Sequence, residues 1–370
     1  MMDNTTLTTL FDAGVRAVRG DTSVAVALVQ RQSAVPDQIV AVGKAANAMA
    51  LAAASAYPDA PVLIVTKYDH SIGAPAHAEV IEAAHPVLDE NSIRAGTRLL
   101  EVVSKMPKGS DLLMLVSGGA SALAEAPMDG LDLAGLKARA TEMLGSGADI
   151  HAMNKLRVTL SQIKGGKLLA QFKGARVRTL AISDVEGDAL SVIGSGIGNA
   201  PPEPQFAFEP QIVASNAIAR AAVAEAALAQ GLAVETNIET LYDDINALGP
   251  RLGHAITSGK GGLHLWGGEP TVVLPQNPGR GGRNQALALI LAREIAGRDD
   301  IRILVAGTDG TDGPTDAAGA IVDGHTWEAS GAEALRRADA GTWLDAKGAL
   351  LRTGPTGTNV MDLVIALKDR

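Results

Sequence analysis

IRILVAGTDGTDGPTD (301–316) is the stretch whose reading decides the fold. Its apolar head, carrying Ile301, Ile303, Leu304 and Val305, has the composition of a buried strand. The strand empties into a loop of glycines, threonines and carboxylates, with Asp309, Asp312 and Asp316 inside eight residues. Open α/β sheets place their ligands at the C-terminal ends of strands. Carboxylates beside bare backbone N–H groups suit a magnesium-bound phosphate ester. Asp309 and Asp312 are therefore expected to hold a divalent cation, with Thr308 and Thr311 at the ligand.

Working outward, the same alternation recurs. Strands are expected at Gln38–Val42, Val62–Val65, Asp111–Val116 and Val177–Ile182, and helices at Ala45–Ala56, Asn91–Met106, Leu133–Leu144 and Val158–Ala170. A glycine- and proline-rich connector, Gly194–Pro210, interrupts the pattern. Beyond it the alternation resumes with Ile212–Ala214, a helix at Ile218–Ala229, a strand at Ala233–Ile238, β-rich pieces at Leu263–Trp266 and Thr271–Leu274, and a helix at Asn284–Ile295. Strands alternating with helices of this length predict βαβ units and a mostly parallel sheet. The expected division is residues 1–210 and residues 211–370, two α/β domains.

Composition narrows the function. The chain of 370 residues is 46% hydrophobic but only 3% aromatic, so Ala, Val, Leu and Ile must build its cores. A net charge of −9 argues against nucleic acid or an anionic membrane as partner. The absence of cysteine excludes disulfides, thiolate–zinc sites and thiol nucleophiles. No signal peptide and no stretch near the roughly 20 apolar residues of a membrane span are visible, so a cytoplasmic enzyme is expected.

Five glycine-rich loops carry the chemistry. Gly43-Lys44 joins a strand to a helix, where a lysine can reach an anion at the helix N-terminus. It is no Walker loop, because Ala45 replaces the Ser/Thr. Ser117-Gly118-Gly119-Ala120-Ser121 offers amides and two hydroxyls. Asn154-Lys155 heads a segment with Lys164 and Lys167, which reads either as a solvated basic face or as cations for an acidic substrate. Ser183-Asp184 follows a strand, and Asp184 is the carboxylate nearest its end. Gly267-Gly268-Glu269 and Gly279-Arg280-Gly281-Gly282-Arg283-Asn284 flank a strand and open a helix, where Arg283 can clamp a carboxylate or phosphate and Asn284 can cap. No Gly-x-Gly-x-x-Gly dinucleotide fingerprint occurs.

In this order the loops resemble the class II glycerate 2-kinases, the family that carries the MOFRL domain. The segments are VGKAANAMA (42–50), SGGASAL (117–123), NKLRVTLSQIKGGKLL (154–169), ISDVEGD (182–188), GGEPTVVL (267–274), GRGGRNQALAL (279–289), GTDGTDGPTDAAGA (307–320) and GPTGTNVMDL (354–363). The resemblance implies a Rossmann-like N-terminal domain, a C-terminal α/β domain of the MOFRL type and an active-site cleft between them. It further implies ATP-dependent phosphorylation of D-glycerate at its 2-hydroxyl, with Mg2+ or another divalent cation. Lys44 and Arg283 fall on the lysine and arginine the family relies on for activity. The chain departs from the family pattern at Ala120, where a third glycine is usual, and at Ile197, where proline is usual.

On this reading Lys44 and Arg283 neutralise charge and Asp184 takes the hydroxyl proton. Ser117, Gly118, Gly119, Ser121, Asn154, Lys155, Glu269, Gly281, Gly282, Asn284, Thr308 and Thr311 line the ligands. The expected partners are D-glycerate and ATP, with a homodimer as the assembly. The alternative is an NAD(P)H-dependent hydroxypyruvate reductase, against which the missing fingerprint counts. A sugar-acid binding module is a third reading.

Overall fold

The computed structural model describes residues 4–31, 34–145 and 150–369, with the backbone course alone for 140–141, 143–145 and 150–154. The chain forms two compact units. One holds Arg19–Ser215 and Gly357–Asn359; the other holds Met1–Val18, Asn216–Thr356 and Val360–Arg370. The expected division grouped 1–210 together, whereas by packing the opening helix α1 (Asn4–Ala17) belongs with the C-terminal unit, against Asn216–Ala229.

The N-terminal unit is a six-stranded parallel sheet. Its strands are β1 (Gln38–Val42), β2 (Val62–Lys67), β3 (Glu79–Ala83), β4 (Asp111–Val116), β5 (Arg176–Ile182) and β6 (Ala207–Ala214). They lie in the order β3-β2-β1-β4-β5-β6, every neighbour parallel. This is the doubly wound order, whose switch point falls between β1 and β4. The central strands read as unbroken apolar runs because both faces are covered. The helices are α2 (Gly20–Gln30), α3 (Ala46–Ala56), α4 (Glu90–Ser104), α5 (Ala120–Leu123), α6 (Leu133–Gly145), α7 (Ile150–Leu160) and α8 (Lys167–Ala170). α4 starts at a capping box of Asp89 and Ser92 and buries Ala95, Leu99 and Val103 on one stripe. Those three pack with Val40, Val42, Leu63, Met114 and Val116 of the sheet. Each fully buried Val, Leu or Met contributes about 1.5–3 kcal/mol.

The helix expected over Val158–Ala170 is broken. α7 ends at Leu160, and Gly165 and Gly166 take φ of 63° and 82° before α8 begins. Lys167 Nζ donates to the carbonyls of Val158 and Ser161 at 2.7 Å, closing the end of α7. Lys164 is on no solvated basic face: it is 1% exposed and paired with buried Glu125.

The C-terminal unit holds a mixed sheet of β7 (Val234–Glu239), β8 (Gly262–Gly268), β9 (Ile301–Gly307), β10 (Gly319–Asp323), β11 (Leu350–Leu351) and β12 (Asp362–Lys368), in the order β11-β10-β9-β12-β8-β7. β12 runs antiparallel between β8 and β9, pairing Asp362 with Gly268 on one side and Gly307 on the other. One sheet edge thus gathers the ends of β8 and β9 and the start of β12. Around it lie α9 (Asn216–Ala229), α10 (Ile245–Ser258), α11 (Arg283–Glu294), α12 (Gly331–Arg336) and α13 (Ala340–Ala346). Leu287, Leu289, Ile290 and Leu291 of α11 are buried, with Leu248 and Leu252 of α10 and Ile303 and Val305 of β9 in the same core. Thr271–Leu274 forms no strand; Thr271 alone bridges to Asp244, and Val273 is 86% exposed. No helix among the described residues is long and apolar enough to cross a membrane.

Candidate active site

In the N-terminal unit the loops after β1 and β4 interlock at the switch point. Lys44 N donates to Gly118 O at 2.9 Å and Ser117 N to Val42 O at 3.0 Å. The buried Ser117 hydroxyl accepts from Ala45 N at 3.0 Å. Gly43, at φ 132°, lies so close that a Cβ there would meet Ser117 Oγ at 2.2 Å. Gly119 precedes α5, and a Cβ on it would touch Lys44 Cγ at 3.0 Å and His85 Cδ2 at 3.2 Å. Asp184, from the loop after the neighbouring strand β5, accepts from Asn359 Nδ2 at 3.2 Å and borders Gly118. Ser121 and Ser195 share a hydroxyl–hydroxyl bond of 2.8 Å. One strand-end cluster therefore gathers a lysine, a carboxylate, several amides and hydroxyls.

Lys44, Ser117, Gly118, Gly119, Ser121 and Asp184 of the expected set meet here. Lys155 is exposed on α7, which touches the Ile193–Gly196 turn. Asn154 lies on the same helix, but its side chain is outside the described residues. His85, Ser195 and Asn359 escaped sequence reasoning. His85 and Ser195 lie beyond β3 and β5 of the same sheet, whereas Asn359 falls inside the quoted segment GPTGTNVMDL, just before β12, and packs with this unit.

In the C-terminal unit Arg283 opens α11 and is gripped by two carboxylates. Its Nε donates to Asp362 Oδ2 at 2.6 Å and its NH2 meets Glu269 Oε1 at 2.9 Å. Burial pulls the Arg283 pKa down, but Asp362, Glu269 and Asp312 more than offset it and hold the pKa above its ordinary value. Asp362 was not anticipated. The available signal was one acid heading the apolar run DLVIALK (362–368).

Asp312 is 3% exposed, and its oxygens accept from Asn284 N at 3.0 Å and Gln285 N at 2.8 Å. It caps α11 from across the loop, the part expected of Asn284, and it fits under Gly282, whose Cβ would lie 2.2 Å from Asp312 Oδ1. Burial pushes its carboxyl up to about 7 against the pull of those two amides. Asn284 is itself buried, 1% exposed, and Gly281 packs near Gly341 N. Thr308 is buried; its hydroxyl donates to Met361 O at 2.7 Å and accepts from Val360 N at 2.9 Å. That grip holds Met361 at φ 67°, a left-handed conformation costing about 1–3 kcal/mol in a non-glycine residue.

Asp309, half-buried at the end of β9, accepts from Thr311 N at 2.9 Å and Thr311 Oγ1 at 3.0 Å. Asp316 belongs instead to a ring of ion pairs with Arg280, Arg352 and Asp345. No cluster of three or more metal-type side chains exists among the described residues. A magnesium ion that arrives with phosphates and water needs only one or two carboxylates, which Asp309 fits.

Two family models match. The one described as a domain of unknown function (DUF4147) covers residues 6–229, and that of the MOFRL family covers 262–362. A D-glycerate 2-kinase from Thermotoga maritima is 38% identical over 89% of this chain and 90% of its own. A crystal structure of glycerate kinase from the same organism superposes with TM-score 0.88 at 33% identity, covering 98% of this chain and 99% of that one. A protein from Agrobacterium vitis named for hydroxypyruvate reductase is 35% identical over 88% of this chain and 85% of its own.

Proposed function

Since the chain belongs to the family that joins DUF4147 to MOFRL, whose members include a D-glycerate 2-kinase, we propose that it transfers the γ-phosphoryl group of ATP to the 2-hydroxyl of D-glycerate. The products are 2-phospho-D-glycerate and ADP. The observation that carries this reading is the interlocked pair of loops at the switch point, where Lys44 N bonds Gly118 O and Asp184 borders Gly118.

Phosphoryl transfer depends on alignment and charge neutralisation. The C2 oxygen forms a bond to Pγ as the bond from Pγ to the ADP oxygen breaks, and the hydroxyl proton goes to the Asp184 carboxylate. Asn359 holds that carboxylate by its Oδ2. The Lys44 ammonium offsets the charge of the transferring group. Arg283, kept cationic by its carboxylate neighbours, binds an anionic group of a substrate. Asp309 would hold the magnesium ion that accompanies ATP, which when bound neutralises phosphate charge. The enzyme is expected in the cytoplasm, acting on two dissolved small molecules.

ADP release measured with D-glycerate and magnesium tests the reading. Lys44→Ala and Arg283→Ala should each lower turnover about 100–1000-fold. Near-wild-type rates in both would reject their roles. Oxidation of NADH with hydroxypyruvate, without ATP, would favour the reductase instead.

A further inference from the structure

The two carboxylates on Arg283 differ in kind. Asp362 is 3% exposed and Glu269 is 48% exposed. We propose that Asp362 is a positioning residue that fixes the Arg283 guanidinium, and that Glu269 is an exchangeable counter-ion whose place on NH2 a substrate anion takes. The proposal rests on the reading that Arg283 binds a substrate anion.

Asp362 cannot readily move. It is paired to Gly268 and to Gly307 by the ladders on both sides of β12. Its carbonyl accepts from Asn216 Nδ2 at 3.1 Å, and the same amide group reaches Val360 O at 2.9 Å. Asn216 is in turn held by Arg220 Nε at 2.8 Å, and Arg220 is tied to Asn237 and to Glu239. The preceding residue, Met361, is pinned in the left-handed region by Thr308. A buried polar chain thus runs from Arg220 through Asn216 to the backbone that delivers the Asp362 carboxylate to Arg283.

Glu269 lies just past Gly268, the last ladder residue of β8, with its side chain half in solvent. An exposed ion pair of this kind shifts an equilibrium by about fivefold at most. With Nε committed to Asp362, the fork left for a bidentate carboxylate or phosphate is NH1 and NH2. NH2 is the arm that Glu269 contacts. Glu269 and the substrate anion therefore compete for one position, and the competition weakens substrate binding without contributing to the reaction.

Steady-state kinetics with ATP, D-glycerate and magnesium test this on E269Q, D362N and R283A. In E269Q, KM for the substrate whose anion meets Arg283 should fall two- to fivefold, raising kcat/KM. In D362N, kcat should fall at least tenfold. Should D362N fail to fold by circular dichroism, D362E, which keeps the charge and displaces it by one methylene, takes the same criterion. A KM in E269Q that rises or stays at the wild-type value overturns the exchange, and wild-type kcat in the Asp362 variant overturns the positioning. Wild-type kinetics in R283A would reject the underlying assignment of Arg283 instead, so the two failures are distinguishable.

Discussion

Asp184 and Gly118 stand closer than any side chain on residue 118 would allow: a Cβ built there falls 1.9 Å from Asp184 Oδ2. The glycine is what lets the carboxylate after β5 lie against the amides after β4. Gly118→Ala should therefore displace Asp184 and lower kcat about 100-fold, the cost of moving a reacting group by roughly 1 Å. Overpacking should cost about 1–3 kcal/mol of stability by urea titration. Full activity in a folded G118A protein would show that Asp184 need not sit there.

Glu125 and Lys164 form a buried pair, 3% and 1% exposed, in which Glu125 Oε1 has no hydrogen bond among the described residues. Burial lowers the Lys164 pKa, and Glu125 only partly restores it. Glu125→Gln should destabilise the protein by about 3–5 kcal/mol, since it leaves an ammonium buried without its counter-charge. The double variant Glu125→Leu with Lys164→Met should recover most of that loss. Denaturant unfolding of both decides it; a double variant no more stable than the single would mean the pair is irreplaceable.

Asp312 sets a pH dependence. Its carboxyl is raised to about 7 in the folded chain, while the unfolded chain titrates near the ordinary value of 3.8. Between those values the folded state holds the extra proton, so stability is greatest at the acid end and falls as pH rises through about 7. Asp312→Asn has no such proton to lose, and its stability should lack this slope. Unfolding free energies across that range for both proteins make the comparison, with equal slopes as the contrary result.

For the metal, chelation with EDTA should abolish turnover, and Asp309→Asn should raise the magnesium concentration needed for half-maximal rate about tenfold or more. An unchanged magnesium requirement in D309N would remove Asp309 from the metal site.

Much of the N-terminal unit was legible because β1, β2 and β4 hold continuous apolar runs, as a sheet covered on both faces requires, and β5 ends in one, Leu180–Ile182. One strand of this unit was missed, and of another only the end, Ile212–Ala214, was read. β3, EVIEA, is a short edge strand with charged residues, and β6 carries Pro210, which the sequence presents as a connector. A proline is tolerated there because β6 is also an edge. The glycine loops that carry Lys44, Asp184 and Arg283 could be read locally, since turn chemistry is local. Asp362 could not: its meaning comes from a strand inserted between β8 and β9, a pairing no periodicity encodes. Asp312 and Thr308 were expected at ligands, yet the structure gives the Asp312 carboxylate to the start of α11 and the Thr308 hydroxyl to Met361 and Val360.

Phosphorus NMR of the product after incubation with ATP, magnesium and D-glycerate tests the account most directly. A phosphate monoester on C2, formed together with ADP, is the predicted result. A monoester on C3, or no transfer to glycerate at all, would contradict it.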